Sequence, residues 1–261
     1  MIKKLSLLGL VLFIAVMACT SEGAETEPAL DPLTGETYFF LREGKFREYQ
    51  VYEIRYRAVD ISDTLRYQLR EEVRGTFTNN SGETSHLIHR LVRNDASQEW
   101  ELDSIWSARV ADQSAISVEN NVPFVKIQFP PLVERKWDAN LLNSHPLDSF
   151  TVITFSPLQD EENTTNFMVP GLPGENSVTP VFTEVLVIQQ EAFQDDQDGA
   201  LEHPVTERDF RTEVYKDSIG LVFKEYNVVK LCTRPDCLGQ GIIQSGRFYR
   251  EVLINEGDFD D

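Results

Sequence analysis

Trp100-Glu101-Leu102-Asp103-Ser104-Ile105-Trp106-Ser107-Ala108-Arg109-Val110 is the stretch that decides the fold. Trp100, Leu102, Ser104, Trp106, Ala108 and Val110 recur at every second position, with Glu101, Asp103 and Arg109 between them and Ile105 as the exception. A helix would spread these residues round its circumference, whereas a strand sorts them onto two faces. The same period extends outward on both sides. In Tyr52–Ala58 the even positions are apolar and the odd ones charged, and Leu65, Tyr67, Leu69 and Val73 repeat the alternation on odd positions. Asp60 to Thr64 reads as the turn between them, giving an antiparallel pair with one wet face.

Further strands are expected at His86–Val92, Pro123–Phe129, Phe150–Phe155, Val181–Gln189, Phe210–Lys216, Ile219–Lys230 and Ile242–Ile254, with a short helix near 138–144 as the one helical candidate. Sixteen Phe and eight Tyr suit strands better than helices. The expectation is an all-β domain over residues 35–255, with ten or more strands in a curved antiparallel sheet, a β-sandwich or a half-barrel. An internal echo raises the option of two similar halves: Tyr38-x-x-Leu41-x-Glu43-x-Lys45-Phe46 matches Phe129-x-x-Leu132-x-Glu134-x-Lys136-Trp137. The stretch 157–180 is long and irregular, and its apolar residues, Phe167, Met168, Val169 and Leu172, imply that it packs on the sheet. Glu256–Asp261 reads as an acidic, frayed tail.

The first residues have a different logic. Lys3 and Lys4 precede an apolar run from Leu5 to Met17, and Ala18 then meets Cys19. The run is shorter than the roughly 20 residues needed to span a bilayer, so it reads as a secretory signal. Val16-Met17-Ala18-Cys19 resembles the lipobox of bacterial lipoproteins. That resemblance implies cleavage after residue 18 and lipid attachment at Cys19, tying the mature chain to a membrane. Residues 19–34 are a polar, acidic linker with Pro28 and Pro32. The acidic run resembles the export signal of bacteroidete-type surface lipoproteins, which implies the outer membrane, with the domain facing the periplasm or the cell surface. Tyr38-Phe39-Phe40-Leu41-Arg42-Glu43-Gly44-Lys45-Phe46-Arg47-Glu48-Tyr49 is similar to the opening of many bacteroidete-type lipoproteins, although Phe40 stands where they usually carry proline. Tyr215–Val222 is similar to their late strand pair. The resemblance implies a broad curved antiparallel sheet and brings no catalytic residues.

Charge narrows the partners. The formal charge is −19, and removing a leader that holds two lysines and no acid takes it to −21. Such a surface repels nucleic acid, so no nucleic-acid partner is expected. With Cys19 lipidated, Cys232 and Cys237 remain, bracketing Thr-Arg-Pro-Asp. In an oxidising envelope they are expected to form a disulfide across a Pro-Asp turn.

No pattern names an activity. His86 and His89, three apart on a strand, point to opposite faces and cannot chelate one ion; His145 and His203 lie elsewhere. Asp195-Asp196-Gln197-Asp198-Gly199 has the look of a calcium loop, but its twelfth position would be Val205, which has no side-chain oxygen. No cofactor, metal site or catalytic group is expected. Trp100, Trp106 and Trp137 are candidates for a glycan or lipid site, and equally for the core. Two functions stay open: a non-enzymatic envelope module that binds a protein partner or completes a complex, and a carrier or sensor holding a hydrophobic or glycan ligand in the concave face of the sheet. An unfilled concavity larger than about 300 Å³ would favour the carrier.

Overall fold

The computed structural model describes residues 34–59, 61–79, 82–155, 166–171, 179–190, 193–194 and 206–259. The leader, Cys19, most of the linker, His203 and the Asp195–Gly199 loop lie outside these residues. Fifteen strands follow a short 3-10 turn at Glu36–Tyr38. They are β1 (Lys45–Ala58), β2 (Ile61–Thr78), β3 (Thr84–Arg93), β4 (Glu101–Ala111), β5 (Ser114–Glu119), β6 (Val122–Gln128), β7 (Lys136–Asp138) and β8 (Ser149–Thr154). Then come β9 (Asn166–Met168), β10 (Val181–Thr183), β11 (Val185–Gln190), β12 (Phe193–Gln194), β13 (Glu207–Lys216), β14 (Gly220–Leu231) and β15 (Ile243–Asp258).

Twelve of them form one antiparallel sheet in the order β6-β5-β4-β3-β2-β1-β15-β14-β13-β11-β8-β7, nearly closed into a barrel; β12 adds to β13 and β9 pairs with β10. The two edges meet at a seam. The Val125 N–H donates to the Ala139 carbonyl at 2.9 Å, and the Trp137 indole N–H donates to the Val125 carbonyl at 3.0 Å. The Asn143 amide reaches the Pro123 carbonyl at 2.8 Å. Of the architectures left open by the sequence, this is a single curved sheet and not two half-domains. The echoed segments do each open a strand, but β1 is a 14-residue central strand and β7 a three-residue edge strand.

One end of the barrel is plugged. Tyr38 and Phe39, just before β1, pack with Phe129, Phe155 and Tyr215 in the main core. Phe39 and Leu41 also close on Val73, Ile88 and Ala108. Outside the barrel, the β9–β10 ribbon lays Phe167, Val169 and Phe182 over Val185, Val187, Val214 and Phe223. The irregular stretch therefore packs on its own sheet where it is described.

Several local readings need correction. Residues 61–64 are strand, not turn: Thr64 pairs with Ile54 and Asp63 with Arg55, and Asp63 also binds Arg57 at 2.6 Å. The expected tail is strand up to Asp258, because its carboxylate meets Lys45 at 2.8 Å and Arg42 at 2.5 Å. Residues 139–145 turn without forming a helix. Val181–Gln189 is broken at Glu184, whose φ of 58° ends β10 and starts β11.

The larger correction concerns which face is inside. On β1 the odd face is interior, with Tyr49, Val51 and Glu53 all fully buried. Tyr52, Ile54 and Tyr56 lie on the other face, where Tyr52 meets Phe248 and the Arg66 guanidinium. On β4 a bulge opposite Arg90 and Leu91 switches the phase. Trp106 and Ala108 face inward as the alternation predicts, but Leu102 turns out and is 56% exposed. The outward face of β2 carries Arg66, Gln68, Arg70, Glu72 and Arg74, with Arg70 bound to Glu48 at 3.0 Å and to Glu72 at 2.7 Å. A lipid-facing strand presents apolar residues there, so the outward face of β2 has the character of a water-facing strand.

Candidate functional site

The interior face of the barrel carries paired charges. Starting at the plug, Arg47 donates to the carbonyls of Ile219 (3.2 Å) and Phe40 (3.4 Å). Arg47 also lies 3.5 Å from Glu71, whose other oxygen takes Arg90 Nε at 3.1 Å. The Arg90 guanidinium stacks on Trp106 with its carbon 3.7 Å from the ring centroid. Across the lumen, Lys126 Nζ is 2.5 Å from Glu213 and 3.5 Å from Glu119, and Lys224 Nζ is 3.4 Å from Glu213. The Tyr215 hydroxyl donates to Glu213 and the Tyr249 hydroxyl to Glu251, both at 2.5 Å. The Tyr49 hydroxyl donates to the Leu221 carbonyl at 3.0 Å.

Strand register explains this gathering. Arg47 sits opposite Glu71, Glu71 opposite Arg90, Glu213 opposite Lys224 and Lys224 opposite Glu251. Each pair occupies directly facing positions on one face of adjacent strands, where opposite charges attract most. The electrostatics follow. Burial acts to raise the Glu213 pKa, but Lys126 and Lys224 more than offset it and hold it at about 2. Glu119 is also lowered: burial opposes this, and Lys126 and Lys224 outweigh it. Glu251 goes the other way, because burial outweighs the attraction of Lys224. Burial pushes Tyr67 and Tyr226 up to about 12, so both stay protonated at neutral pH.

Toward the end away from the plug the lumen is hollow. A cavity of about 610 Å³ is bordered by Tyr67, Trp106, Tyr226 and Tyr249, by Arg55, Arg90 and Arg247, and by Glu101 and Asp103. A second chamber of about 250 Å³ shares Glu119, Lys224 and Tyr226 with it and extends to Phe124 and Phe150. Tyr226 and Tyr249 stack at 4.9 Å and 11°. Beneath them Glu53, fully buried, is bound by Arg55 and by Arg247, whose Nε lies 2.6 Å away. Burial would raise the Glu53 pKa, and the hydrogen bonds from Arg55 and Arg247 reverse that and lower it.

The residues singled out in the sequence are scattered. Cys232 and Cys237 are bonded, with Cα atoms 5.8 Å apart, in the loop between β14 and β15 at the open end. Trp106 lines the cavity; Trp137 is buried in the seam and stacks on Phe150; Trp100 lies against Arg93, 4.1 Å from ring centroid to guanidinium carbon. His86 and His89 sit half-buried on β3, and His145 is exposed near Phe124. No cluster of three or more His, Cys, Asp or Glu side chains suited to a metal occurs among the described residues. Charge at every second position reads as the wet side of a sheet, and that hides the charged lumen in the sequence. The usable signal was that odd positions on β1 also carry Tyr49 and Val51.

No family model matches the chain, and no curated protein matches it. Two solved structures are similar over most of its length. One is a presumed exported protein with a YmcC-like fold from Bacteroides fragilis, 12% identical, covering 84% of this chain and 98% of its own, with a TM-score of 0.39. The other is a presumed lipoprotein from Parabacteroides distasonis, 10% identical, covering 87% and 100%, also with a TM-score of 0.39. Similarity at that level carries no argument about this chain.

Proposed function

We propose that this chain is an exported protein, lipid-anchored to the outer membrane through Cys19, whose barrel serves without catalysis as a carrier or sensor of a small ligand held in the lumen. The observation that supports the reading is the unfilled cavity of about 610 Å³, within the size range of small-molecule sites. An interaction module would have a packed interior and a flat exposed patch. The wall also defines the ligand. Arginines, glutamates and tyrosine hydroxyls would be stranded against a lipid tail, so the ligand is polar, and of the two ligand types considered the glycan fits and the hydrophobic one does not.

The test is native mass spectrometry of the full-length protein purified gently from envelopes in mild detergent, beside Val92→Trp, which places an indole in the cavity. A small-molecule adduct in the wild type that is lost in the variant is the expected result. A bare chain in both, with no saccharide raising the melting temperature, would overturn the reading.

A second reading has one observation behind it. Leu141 and Leu147, in the turn between β7 and β8, are 65% and 76% exposed, and such residues suit a protein partner at the barrel rim. Cross-linking from this turn on intact cells tests it, and a specific neighbour lost on Leu147→Ser is expected.

A further inference from the structure

Two half-exposed guanidiniums in the cavity wall point to the kind of ligand. Glu53 is one carboxylate shared by two guanidiniums, Arg55 and Arg247. Arg47, Arg90, Lys126 and Lys224 are matched in number by Glu71, Glu119, Glu213 and Glu251, whereas Arg55 and Arg247 share the one carboxylate of Glu53, and Glu99, Glu101 and Asp103 border the same cavity. Both guanidiniums are accessible: the side chains of Arg55 and Arg247 are 50% and 42% exposed, while Glu53 is fully buried. Arg247 contacts Glu53 through Nε, and its guanidinium carbon stands 5.4 Å and 5.1 Å from the ring centroids of Tyr226 and Tyr249. Its position is therefore fixed before any ligand arrives, which lowers the ordering cost of binding. A guanidinium held this way presents N–H donors that suit a carboxylate.

The rest of the cavity wall has the opposite character. Glu101 and Asp103, on β4, border the same space, with Asn94 and Gln98 beside them. These are hydrogen-bond acceptors for hydroxyl groups, and they would repel a ligand charged along its whole length. Tyr226, half-buried at the cavity wall, offers an aromatic ring to ring C–H groups. A ligand that satisfies all three walls has one negative group, a ring body and several hydroxyls.

We propose that the lumen binds an acidic saccharide, its single carboxylate held by Arg55 and Arg247, its ring face against Tyr226 and its hydroxyls toward Glu101 and Asp103. The proposal rests on the lumen being a ligand site and adds the chemical class.

The experiment is calorimetric titration of the full-length protein in detergent with cellobiose and with cellobiouronic acid, the same disaccharide carrying one carboxylate. The acidic sugar is expected to bind at least tenfold more tightly than the neutral one. Arg247→Gln and Arg55→Gln should each bring the ratio of the two affinities close to one. Arg247→Lys should keep part of the preference, and Arg74→Gln, on the outward face of β2 beside Glu72, should keep all of it. Thermal melts establish that each variant is folded, and the two independent arginine variants protect the test if one is not. Equal affinity for the two sugars would overturn the anion assignment while leaving the lumen a binding site. Binding of neither sugar alongside a non-saccharide adduct in the mass spectrum would do the same. Binding of neither sugar with no adduct would overturn both.

Discussion

Glu213→Gln removes one negative charge from the centre of the lumen network and keeps the shape of the side chain. Glu213 is 4% exposed and accepts contacts from Lys126, Lys224 and the Tyr215 hydroxyl. A carboxyl held at about 2 instead of 4.5 corresponds to roughly 3 kcal/mol of stability at neutral pH, at about 1.4 kcal/mol per pH unit. Breaking a buried ion pair typically costs about 3–5 kcal/mol. Lys126 keeps Glu119 at 3.5 Å, which argues for the lower end, so the two routes agree on about 3 kcal/mol. For a domain of this size that is a fall in Tm of about 6–12 °C. The pH dependence has a definite sign. A depressed carboxyl pKa gives stability that is fully present above the unfolded value near 4.5 and is lost as pH falls toward about 2. Wild type and Glu213→Gln should therefore differ most at pH 6–7 and converge near pH 2. Glu251→Gln is the internal control. Its raised pKa means that its ionised form costs stability at neutral pH, a cost that disappears as pH falls below the folded-state pKa. Losing Lys224's attraction is then partly offset by relief of that cost, and Glu251→Gln should destabilise less than Glu213→Gln. Urea unfolding followed by tyrosine and tryptophan fluorescence between pH 3 and 7 measures both. Equal destabilisation by the two substitutions, or less than about 1 kcal/mol for Glu213→Gln, would refute the reasoning.

Three further outcomes follow from named contacts. Replacing Cys232 and Cys237 together with serine opens a loop of sequence separation 5 and should lower stability by about 2 kcal/mol on the chain-entropy model, measured by urea unfolding with and without reductant. Gly246→Ala should be destabilising by about 2–3 kcal/mol: the residue has φ +131°, and an added Cβ would come within 2.3 Å of the Val228 carbonyl oxygen and 2.6 Å of the Val229 Cα, both backbone atoms. Trp137→Phe keeps an aromatic in the core but deletes the indole donor to Val125; a loss of about 1–2 kcal/mol is expected, with faster amide exchange at Val125 as the sign that the seam itself has loosened.

Much of the strand pattern was readable because alternation survives even when the face it marks is misread. β2, β3, β8, β13, β14 and β15 all cover expected segments. What escaped was short or carried weak turn signals. β5 is a six-residue strand bounded by Asp112-Gln113 and Asn120-Asn121; all four residues have φ between 49° and 66°, the conformation of a two-residue hairpin turn. Only the second pair carries the asparagines that advertise such a turn, and neither contains glycine. β7 and β12, at three and two residues, are too short for a period to show. The turn at Asp60–Thr64 was overextended because Asp63 and Thr64 look like turn residues, while in the fold they are held by pairing to Arg55 and Ile54.

The lumen was less legible than the strands for one physical reason. A two-layer domain buries an apolar face, and the phase of alternation then identifies the inside. A single sheet curled nearly shut has an inside that does not have to be apolar, provided its charges are paired across adjacent strands. Here Arg47, Glu71 and Arg90 stand in register on β1, β2 and β3, and Glu213, Lys224 and Glu251 on β13, β14 and β15. No single strand shows this, because each contributes one charge that looks like a surface residue. Pairing in the middle of the barrel satisfies those charges internally. At the open end the pairing stops short, with two arginines on the single carboxylate of Glu53. Two half-exposed guanidiniums fixed over a buried anchor are better suited to a charge that comes and goes with a ligand.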